Sequence, residues 1–297
     1  MSKPSVAVIG LGIMGGPMAA NLVTAGFDVV GYNRSPAKVE TLVAAGGRGA
    51  SSIAQAVADA DVVLTMVPDS PDVEAVVLGE DGVAAHAKPG AIWIDASTIR
   101  PDVAVAVATA AAEKGIRCLD APVSGGEQGA IDGTLSIMVG GERAVFDEAL
   151  PVLEAVGTTV VLVGPSGSGQ TVKAANQLIV AGTIELVAEA LVFLQAYDVD
   201  TTAATEVLAG GLAGNRILDR KAAAMVQGEF APGFRIDLHH KDMGIVTAAA
   251  REAGVAIPLG AHTAQLMQYA RQLGYGDLDH SGLMLLVEQL SGRGPKQ

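Results

Sequence analysis

A stretch of 29 residues without proline constrains the fold of this chain more than any other feature. Residues 169–197 contain only two glycines, and apolar side chains cover almost every face of the helical wheel. A helix that is apolar on all sides is buried within a protein or a membrane. Glu185 and Glu189 interrupt the apolar run before it reaches the ~20 residues that a bilayer span needs. We therefore predict a long internal helix over residues 169–197.

Lys173 and Asn176 stand out near the start of this helix, because they lie one turn apart on the same face. An ammonium in apolar surroundings is costly unless it is paired or its proton is used. The helix position alone also allows Lys173 to lie in the first turn and reach solvent. Lys173 is therefore a candidate proton donor, with Asn176 as its neighbour.

The composition of the chain excludes several classes of function. Its 297 residues suit one large or two ordinary domains. A formal net charge of -13 argues against binding to nucleic acid or to a membrane, since both reward clustered Lys and Arg. The single cysteine, Cys118, excludes an intramolecular disulfide framework and fits a reducing compartment. The first residues lead into a strand pattern without a secretory signal, so we expect a cytoplasmic protein.

A glycine-rich loop follows the first predicted strand, residues 5–9, and opens a helical pattern over residues 14–25. The spacing G-x-G-x-x-G in this context is typical of a dinucleotide site, in which the pyrophosphate lies on the helix N-terminus. The alternative is a tight turn of an ordinary α/β protein. The residues that we predict to surround the pyrophosphate are Gly10, Leu11, Gly12, Ile13, Met14 and Gly15.

The second predicted strand, residues 27–32, ends in Asn33, Arg34 and Ser35. In an NAD site a carboxylate at this place accepts from the ribose hydroxyls, whereas here an arginine is present. Arg34 can form a charge-assisted fork with a 2′-phosphate, and Asn33 and Ser35 can add hydrogen bonds. We predict NADP(H) as the preferred cofactor, with NAD(H) as the alternative. Arg34 could instead be a solvated residue that stacks on adenine and does not discriminate between NADP(H) and NAD(H).

Strand and helix patterns then alternate through the first half of the chain. Such alternation predicts a Rossmann-like, doubly wound parallel sheet with ligands at the carboxyl ends of its strands. The further strands are predicted at residues 61–67, 91–95, 116–120, 135–139 and 159–163. The loops at Val67-Pro68 and Ser97-Thr98 should border the nicotinamide half of the cofactor.

Ser124, Gly125 and Gly126 follow the strand at residues 116–120. A hydroxyl and exposed backbone amides fit a carboxylate without any cationic side chain. An ordinary flexible turn is the alternative. The glycine-rich residues 164–169 mark a domain boundary, so we predict a dinucleotide-binding domain over residues 1–164.

Residues 165–297 show helical patterns and no convincing strand, which predicts an all-α domain joined to the first by the long helix. Its apolar composition suggests a homodimer or homotetramer. Lys241 lies in one of these helical patterns, close after His239 and His240. Adjacent histidines face different sides of a helix and no third ligand is evident, so we predict no metal site.

Four blocks in this order resemble the β-hydroxyacid dehydrogenase family, and the likeness covers nearly the whole chain. The blocks are residues 10–22, residues 120–126, residues 167–177 and the pair Lys241-Asp242. Residues 131–136, 210–214, 232–238 and 279–281 are similar to the branch that reduces tartronate semialdehyde. Many relatives place an asparagine four residues after the lysine, where this chain has Gln177. We predict that Asn176 faces the substrate.

This resemblance implies an NAD(P)-dependent reduction of a small aldehyde that carries a carboxylate, or oxidation of the matching hydroxy acid. Lys173 would donate the proton in reduction and accept it in oxidation. Asn176 would orient the substrate hydroxyl or the lysine, and Ser124, Gly125 and Gly126 would hold the carboxylate. Lys241 would close the site near the nicotinamide or the substrate.

Three other functions remain as alternatives. A 3-hydroxyisobutyrate dehydrogenase performs the same chemistry on a substrate with a methyl group instead of a hydroxyl. An imine reductase has a similar glycine fingerprint but usually lacks the lysine, so Lys173 argues against it. A non-catalytic dinucleotide-binding module would have lost its proton donor, whereas this chain keeps Lys173, Asn176 and Lys241.

Overall fold

The chain divides into two compact units, of which the first ends at Lys173 and the second begins at Ala174. The structure, a computed structural model, describes residues 3–294. The first unit ends nine residues after the predicted domain limit at residue 164, inside the long helix. The division at residues 164 and 165 stays a prediction about folding domains.

The first unit contains a sheet in which strands and helices alternate, as predicted. Within residues 3–294 its strands are β1 (Ser5–Ile9), β2 (Asp28–Tyr32), β3 (Arg48–Gly49), β4 (Val62–Thr65), β5 (Ile92–Asp95), β6 (Arg117–Asp120), β7 (Val123–Ser124), β8 (Leu135–Gly141) and β9 (Gly157–Gly164). Its helices are α1 (Gly15–Thr24), α2 (Pro36–Ala44), α3 (Ile53–Val57), α4 (Ser70–Leu78), α5 (Val83–His86), α6 (Pro101–Ala112), α7 (Gly126–Ile131) and α8 (Arg143–Glu154).

The strand order is β3-β2-β1-β4-β5-β6-β8-β7, with β9 paired to β8. Strands β1 to β6 are parallel, which confirms the Rossmann-like core. The order reverses between β1 and β4, where such sheets bind ligands. The sheet is not fully parallel, because strand β8 is antiparallel to β6 and β7. The short helix α7 does not provide the long crossover that a parallel β8 would need.

The sheet is covered on both faces, so its central strands are apolar on both sides. In β1, Val6 and Val8 pack into one core cluster, while Ala7 and Ile9 pack into the cluster on the opposite face. This alternation follows from the two-residue period of a strand. The apolar strands are thereby held in register, and their carboxyl ends form one edge.

The long helix α9 spans Ser168–Ala196, as the sequence predicts. It is long and apolar enough to cross a membrane by length and composition alone, and 44% of its most apolar window is buried in the protein. The core helix of a folded domain meets the same criterion. The expectation that the chain binds no membrane stays a prediction.

The second unit is helical over its described residues, which confirms the predicted all-α part. After α9 it contains α10 (Thr201–Ala209), α11 (Arg216–Gln227), α12 (Ile236–Glu252), α13 (Pro258–Gln272), a 3-10 turn (His280–Gly282) and α14 (Leu283–Leu290). The side chains of Ala181, Ile184, Ala188 and Leu191 on α9 pack into its core.

Glu185 is a buried carboxyl on the core side of α9. It is 6% exposed, and its Oε2 has no hydrogen-bond partner in the part of the chain that the structure describes. Burial, with a smaller contribution from Glu189, raises the pKa of Glu185 to about 7. Between its unfolded pKa near 4.5 and about 7, the folded chain therefore binds a proton that the unfolded chain does not.

We expect Glu185→Gln to stabilise the protein above pH 7. The stability that the neutral carboxyl contributes is fully present below pH 4.5 and is lost as the pH rises through 7. The full shift of the Glu185 pKa corresponds to about 3 kcal/mol in the free energy of unfolding. Denaturant unfolding between pH 5 and about pH 8 should show that wild type loses stability relative to the variant. The exposed Glu189→Gln is the matched control and should change much less. A constant difference between wild type and Glu185→Gln across this range would contradict the assignment.

Candidate active site

The loop between β1 and α1 contains glycines at which a side chain would collide with the chain itself and one glycine at which it would not. Gly10 has a φ of +96°, and a side chain there would collide with the carbonyl of Met66. A side chain at Gly15 would collide with the carbonyl of Gly10. A Cβ at Gly12 would meet no described atom of the chain within 4 Å. Gly12 therefore leaves room for something outside the chain, which fits a pyrophosphate close to the backbone.

The side chains of the loop and of Asn33 hold the loop in place. Leu11 is buried in the core, and its N–H donates to Asn33 Oδ1 at 3.0 Å. Asn33 Nδ2 donates to the Ser35 carbonyl at 3.3 Å. Ile13 is exposed and Met14 is half-buried. Asn33 thus supports the glycine loop through its Oδ1 and the turn before α2 through its Nδ2, a role that the sequence pattern did not indicate.

Arg34 and Ser35 are exposed between β2 and α2. Among residues 3–294 no ion pair engages the Arg34 guanidinium. The Ser35 side chain does not cap α2. Both side chains are therefore placed where they can meet a ligand at the end of β2.

The loops after β4 and β5 are joined by a hydrogen bond. The N–H of Val67 donates to Ser97 Oγ at 3.0 Å, and Ser97 is fully buried. Pro68 is exposed and Thr98 is half-buried. Ser97 thus holds the two loops together, while Pro68 and Thr98 lie at the surface of the same edge. A nicotinamide contact at these four residues stays a prediction.

A buried polar network lies beneath these loops. Trp93 Nε1 donates to Thr65 Oγ1 at 3.0 Å, and Thr65 Oγ1 donates to Asp95 Oδ1 at 2.8 Å. Asp95 Oδ1 also accepts from the Ser97 N–H at 3.2 Å, while Oδ2 lacks a partner among the described residues. Burial raises the pKa of Asp95 to about 6, although the Ser97 and Thr65 hydrogen bonds act against this shift.

Ser124, Gly125 and Gly126 form the end of β7 and the start of α7 rather than an open loop. Gly125 has a φ of +148° and Gly126 a φ of +68°, and side chains at both positions would be strained. Ser124 is half-buried. The segment places a hydroxyl and backbone amides next to one another, as the predicted carboxylate site requires.

Lys173 lies on α9 and is 7% exposed. Its Nζ donates to the carbonyl oxygen of Val123 at 2.8 Å. Val123 immediately precedes Ser124, so the structure brings the candidate proton donor to the candidate carboxylate segment. The Val123 carbonyl therefore orients the ammonium of Lys173. Lys173 is therefore buried rather than extended into solvent, which was the alternative at the sequence level.

Two residues that sequence reasoning missed place Lys173. Asp120, at the end of β6, accepts from the N–H groups of Gly167 and Gln170 at 2.7 and 2.9 Å and so caps α9. The Gln170 side chain donates to the Ser97 carbonyl at 2.8 Å and accepts from the Ile99 N–H at 3.1 Å. Burial raises the pKa of Asp120, while the helix amides lower it. No local spacing indicates these contacts, because the partners are far apart in the chain.

In the second unit, Asn176 belongs to a chain of polar contacts. Lys241 Nζ lies 2.8 Å from Asp242 Oδ1 in an ion pair. Asp242 Oδ2 accepts from Gln177 Nε2 at 2.5 Å, and Gln177 Oε1 accepts from Asn176 Nδ2 at 2.7 Å. A carboxylate accepts only, so Gln177 must turn its N–H groups toward Asp242 and its oxygen toward Asn176. Asn176 is thereby left with its Oδ1 as an acceptor, whereas both ends of the Gln177 amide already have a partner.

His239 and His280 form a buried pair in the second unit, with their Nδ1 atoms 3.0 Å apart. His239 Nε2 contacts the Gln177 carbonyl at 3.3 Å. A carbonyl only accepts, so His239 donates from Nε2 to the Gln177 carbonyl. Burial lowers the pKa of His280 to about 3. Among residues 3–294 no group of three His, Cys, Asp or Glu side chains is suited to a metal ion.

Two family models match consecutive parts of the chain. Residues 5–164 match the model described as the NAD binding domain of 6-phosphogluconate dehydrogenase. Residues 167–287 match the model described as NAD-binding of NADP-dependent 3-hydroxyisobutyrate dehydrogenase. The chain belongs to the β-hydroxyacid dehydrogenase family.

Named relatives in this family act on different substrates. The 2-hydroxy-3-oxopropionate reductase of Escherichia coli is 41% identical over 95% of this chain and 97% of its own length. The 3-hydroxyisobutyrate dehydrogenase of Pseudomonas aeruginosa is 39% identical over 94% of this chain and 95% of its own length. The structure of 3-hydroxyisobutyrate dehydrogenase from Mycobacterium tuberculosis with L-serine is 34% identical, with a TM-score of 0.86 over 96% of this chain and 99% of that one.

These likenesses establish the class of reaction. The chain is an NAD(P)-dependent oxidoreductase of the β-hydroxyacid dehydrogenase family, and its relatives act on small hydroxy acids. The reductase, the dehydrogenase and the serine-bound structure leave the individual substrate open within that class.

We expect Gly12→Ala to weaken cofactor binding without destabilising the protein. The added methyl group meets no described atom of the chain but occupies the space that the pyrophosphate needs. Fluorescence titration with NADPH should show at least about tenfold weaker binding, a loss of about 1.4 kcal/mol, while the melting temperature without cofactor stays near that of wild type.

Gly15→Ala is the matched control, since its methyl group collides with the Gly10 carbonyl. This second variant should lower the melting temperature of the cofactor-free protein. Wild-type cofactor affinity in Gly12→Ala would show that the pyrophosphate does not approach this loop.

Proposed function

We propose that the chain reduces tartronate semialdehyde to D-glycerate, with NADPH as the preferred reductant. The observation that carries this proposal is the buried ammonium of Lys173, hydrogen-bonded at 2.8 Å to the carbonyl of Val123 beside Ser124. A proton donor next to a hydroxyl and backbone amides suits an aldehyde that also bears a carboxylate. The 41% identity to the Escherichia coli reductase supports the choice of substrate.

In the proposed mechanism the bound nicotinamide supplies the hydride. Lys173 donates a proton to the carbonyl oxygen as negative charge develops there, and takes the proton back in the reverse direction. The hydroxyl of Ser124 and the amides of Gly125 and Gly126 bind the substrate carboxylate and so fix the orientation of the reacting carbon. The Val123 carbonyl keeps the ammonium of Lys173 directed at this position.

Asn176 and Lys241 complete the proposed set of substrate residues. The contacts of Gln177 leave Asn176 Oδ1 as an acceptor, which suits a hydroxyl group of the substrate. A methyl group in place of that hydroxyl would leave a polar group of the protein unpaired, which disfavours the methyl analogue. This argument favours tartronate semialdehyde over the semialdehyde of 3-hydroxyisobutyrate. Lys241 is held by Asp242 and would lie near the nicotinamide or the substrate.

The NADP preference, the assembly and the location belong to the same proposal. Arg34 is exposed at the end of β2, where it can pair with a 2′-phosphate. The apolar second unit supports a homodimer or homotetramer. A cytoplasmic protein remains our expectation.

We expect Lys173→Met to abolish most of the activity while leaving substrate binding largely intact. Loss of a general acid lowers kcat by roughly 10²–10⁴-fold. Absorbance would follow the oxidation of NADPH with tartronate semialdehyde and with methylmalonate semialdehyde, for wild type and variant. It would also follow the reduction of NADP⁺ with L-serine. The exposed Lys114→Met is the matched control and should retain wild-type turnover. Thermal unfolding of both variants separates a lost proton donor from a lost fold.

The substrate comparison decides between related functions. Fastest turnover of tartronate semialdehyde supports the proposed reductase, whereas a preference for the methyl compound identifies a 3-hydroxyisobutyrate dehydrogenase with the same mechanism. Full activity of folded Lys173→Met would remove Lys173 from the chemistry. Binding of NADPH without turnover of any of the three compounds would favour a non-catalytic dinucleotide-binding module.

We expect Arg34→Ala to reduce kcat/KM with NADPH by about tenfold or more, because a charge-assisted pair with the 2′-phosphate is lost. The value with NADH should change little. Arg143→Ala, which removes an exposed arginine from α8, is the matched control and should affect neither cofactor. An equal loss with NADPH and NADH would instead indicate that Arg34 stacks on the adenine and does not select the cofactor.

A further inference from the structure

Gln170 is a buried amide in the first turn of α9, one turn before Lys173. It is 1% exposed. Burial of an amide costs free energy unless its oxygen and its N–H groups are hydrogen-bonded. Methionine has a similar length, is apolar and is as favourable in a helix, so packing alone does not explain a glutamine here. The contacts of the Gln170 side chain give the reason for its amide.

Both ends of the Gln170 amide bind the loop after β5. Its Nε2 donates to the Ser97 carbonyl at 2.8 Å, and its Oε1 accepts from the Ile99 N–H at 3.1 Å. Ser97 and Ile99 are fully buried, and they are the two neighbours of Thr98 in the chain. One side chain of α9 thus holds the backbone on both sides of Thr98.

Ser97 is also held from the side of the sheet. Its N–H donates to Asp95 Oδ1 at 3.2 Å, and its Oγ accepts from the Val67 N–H at 3.0 Å. The N–H, the hydroxyl and the carbonyl of Ser97 therefore bind three different segments, which are β5, the loop after β4 and α9. Thr98 is half-buried at the same edge. Its place is thereby set relative to the sheet and to α9 together.

The backbone of Gln170 is bound independently of its side chain. The Gln170 N–H donates to Asp120 Oδ2 at 2.9 Å, so the cap at the start of α9 remains when the side chain is changed. The side chain instead joins the helix that carries Lys173 to the loop that we expect to border the nicotinamide. Hydride and proton must reach adjacent atoms of one carbonyl group, so the reaction depends on the distance between these two segments.

We infer that Gln170 is a positioning residue, which holds Thr98 and the loop after β5 at a fixed distance from Lys173 so that hydride and proton reach the same carbonyl group. A misplacement of about 1 Å can lower a rate by roughly 10²-fold, even when the change is remote from the chemistry. Cofactor binding should suffer less, because the predicted contacts of the phosphates lie at Gly12 and Arg34. This inference rests on the proposed role of Lys173.

Gln170→Met removes both hydrogen bonds and keeps the length of the side chain. Single-turnover oxidation of NADPH should be slower than in wild type by roughly 10²-fold, because the reacting groups are misplaced. The substrate is tartronate semialdehyde or methylmalonate semialdehyde, whichever wild type reduces faster. The dissociation constant of NADPH, from fluorescence titration, should stay close to the wild-type value. Gln265→Met, at an exposed position of α13, is the matched control and should retain the wild-type rate.

Gln170→Glu makes the donor depend on a proton. A protonated carboxyl donates to the Ser97 carbonyl and accepts from the Ile99 N–H, as the amide does. An ionised carboxylate cannot donate, and it repels the Ser97 carbonyl. Both forms have nearly the size of the amide, so this variant tests the hydrogen bond rather than the packing.

The charged groups around position 170 determine where this variant titrates. The carboxyl groups of Asp95 on β5 and Asp120 on β6 raise the pKa of a glutamate there, as does burial, while the Lys173 ammonium lowers it. The ratio of the Gln170→Glu rate to the wild-type rate should therefore rise as the pH falls from about 8 to about 6. Gln265→Glu should show a constant ratio. A constant or falling ratio in Gln170→Glu would overturn the inference.

The Lys173→Met variant separates this inference from the proposed function. Full activity of folded Lys173→Met would overturn both, since no proton donor would remain to be positioned. Loss of activity in Lys173→Met, together with wild-type single-turnover rates in Gln170→Met, would overturn the inference alone. A lower melting temperature of Gln170→Met with an unchanged rate would assign Gln170 to stability and equally overturn the positioning role.

Discussion

The carboxylate of Asp120 connects the sheet to the helix that carries the candidate chemistry. The first N–H groups of a helix have no partner within it, and the positive end of the helix dipole favours an anion there. Asp120 lies at the end of β6 and accepts from the N–H groups of Gly167 and Gln170, so one buried carboxylate satisfies two amides at the start of α9. Lys173 lies one turn further along α9, and its place at the strand ends depends on this cap.

The cap also requires glycine at two neighbouring positions, because a side chain at either would collide with atoms around the cap. A side chain at Gly140 would collide with the Asp120 carboxylate, and one at Gly169 would collide with the Met138 carbonyl. With both positions occupied by glycine, the start of α9 lies directly on the ends of β6 and β8. Lys173 then reaches the Val123 carbonyl, and the Gln170 side chain binds the loop after β5. A single helix start thereby fixes two loops at the edge where parallel sheets bind ligands.

Features encoded within a few neighbouring residues were predictable, and contacts across the chain were not. The glycine loop, the long helix and the helical second half follow from local spacing. The N–H donors to Asp120 come from 47 and 50 residues further along, so no periodicity indicates that contact. Asn33 shows the same limit, since its place after β2 suggests a ligand while its oxygen binds the Leu11 N–H. The antiparallel direction of β8 was not predicted either, because the sequence pattern did not show that α7 is too short for a parallel crossover.

Sequence and structure together say more about the glycines than either does alone. Gly10 and Gly15 are explained by atoms of the chain itself, because any side chain would collide with a neighbouring carbonyl. Gly12 is not explained in this way, since no described atom of the chain fills the space beside it. Gly12 lies in the loop that leads into the N-terminus of α1, where free backbone amides favour a phosphate, so the open space beside it suits a dinucleotide. The collisions at Gly10 and Gly15 thus fix the shape of the loop, and the open side at Gly12 is the part of the loop that a pyrophosphate can approach.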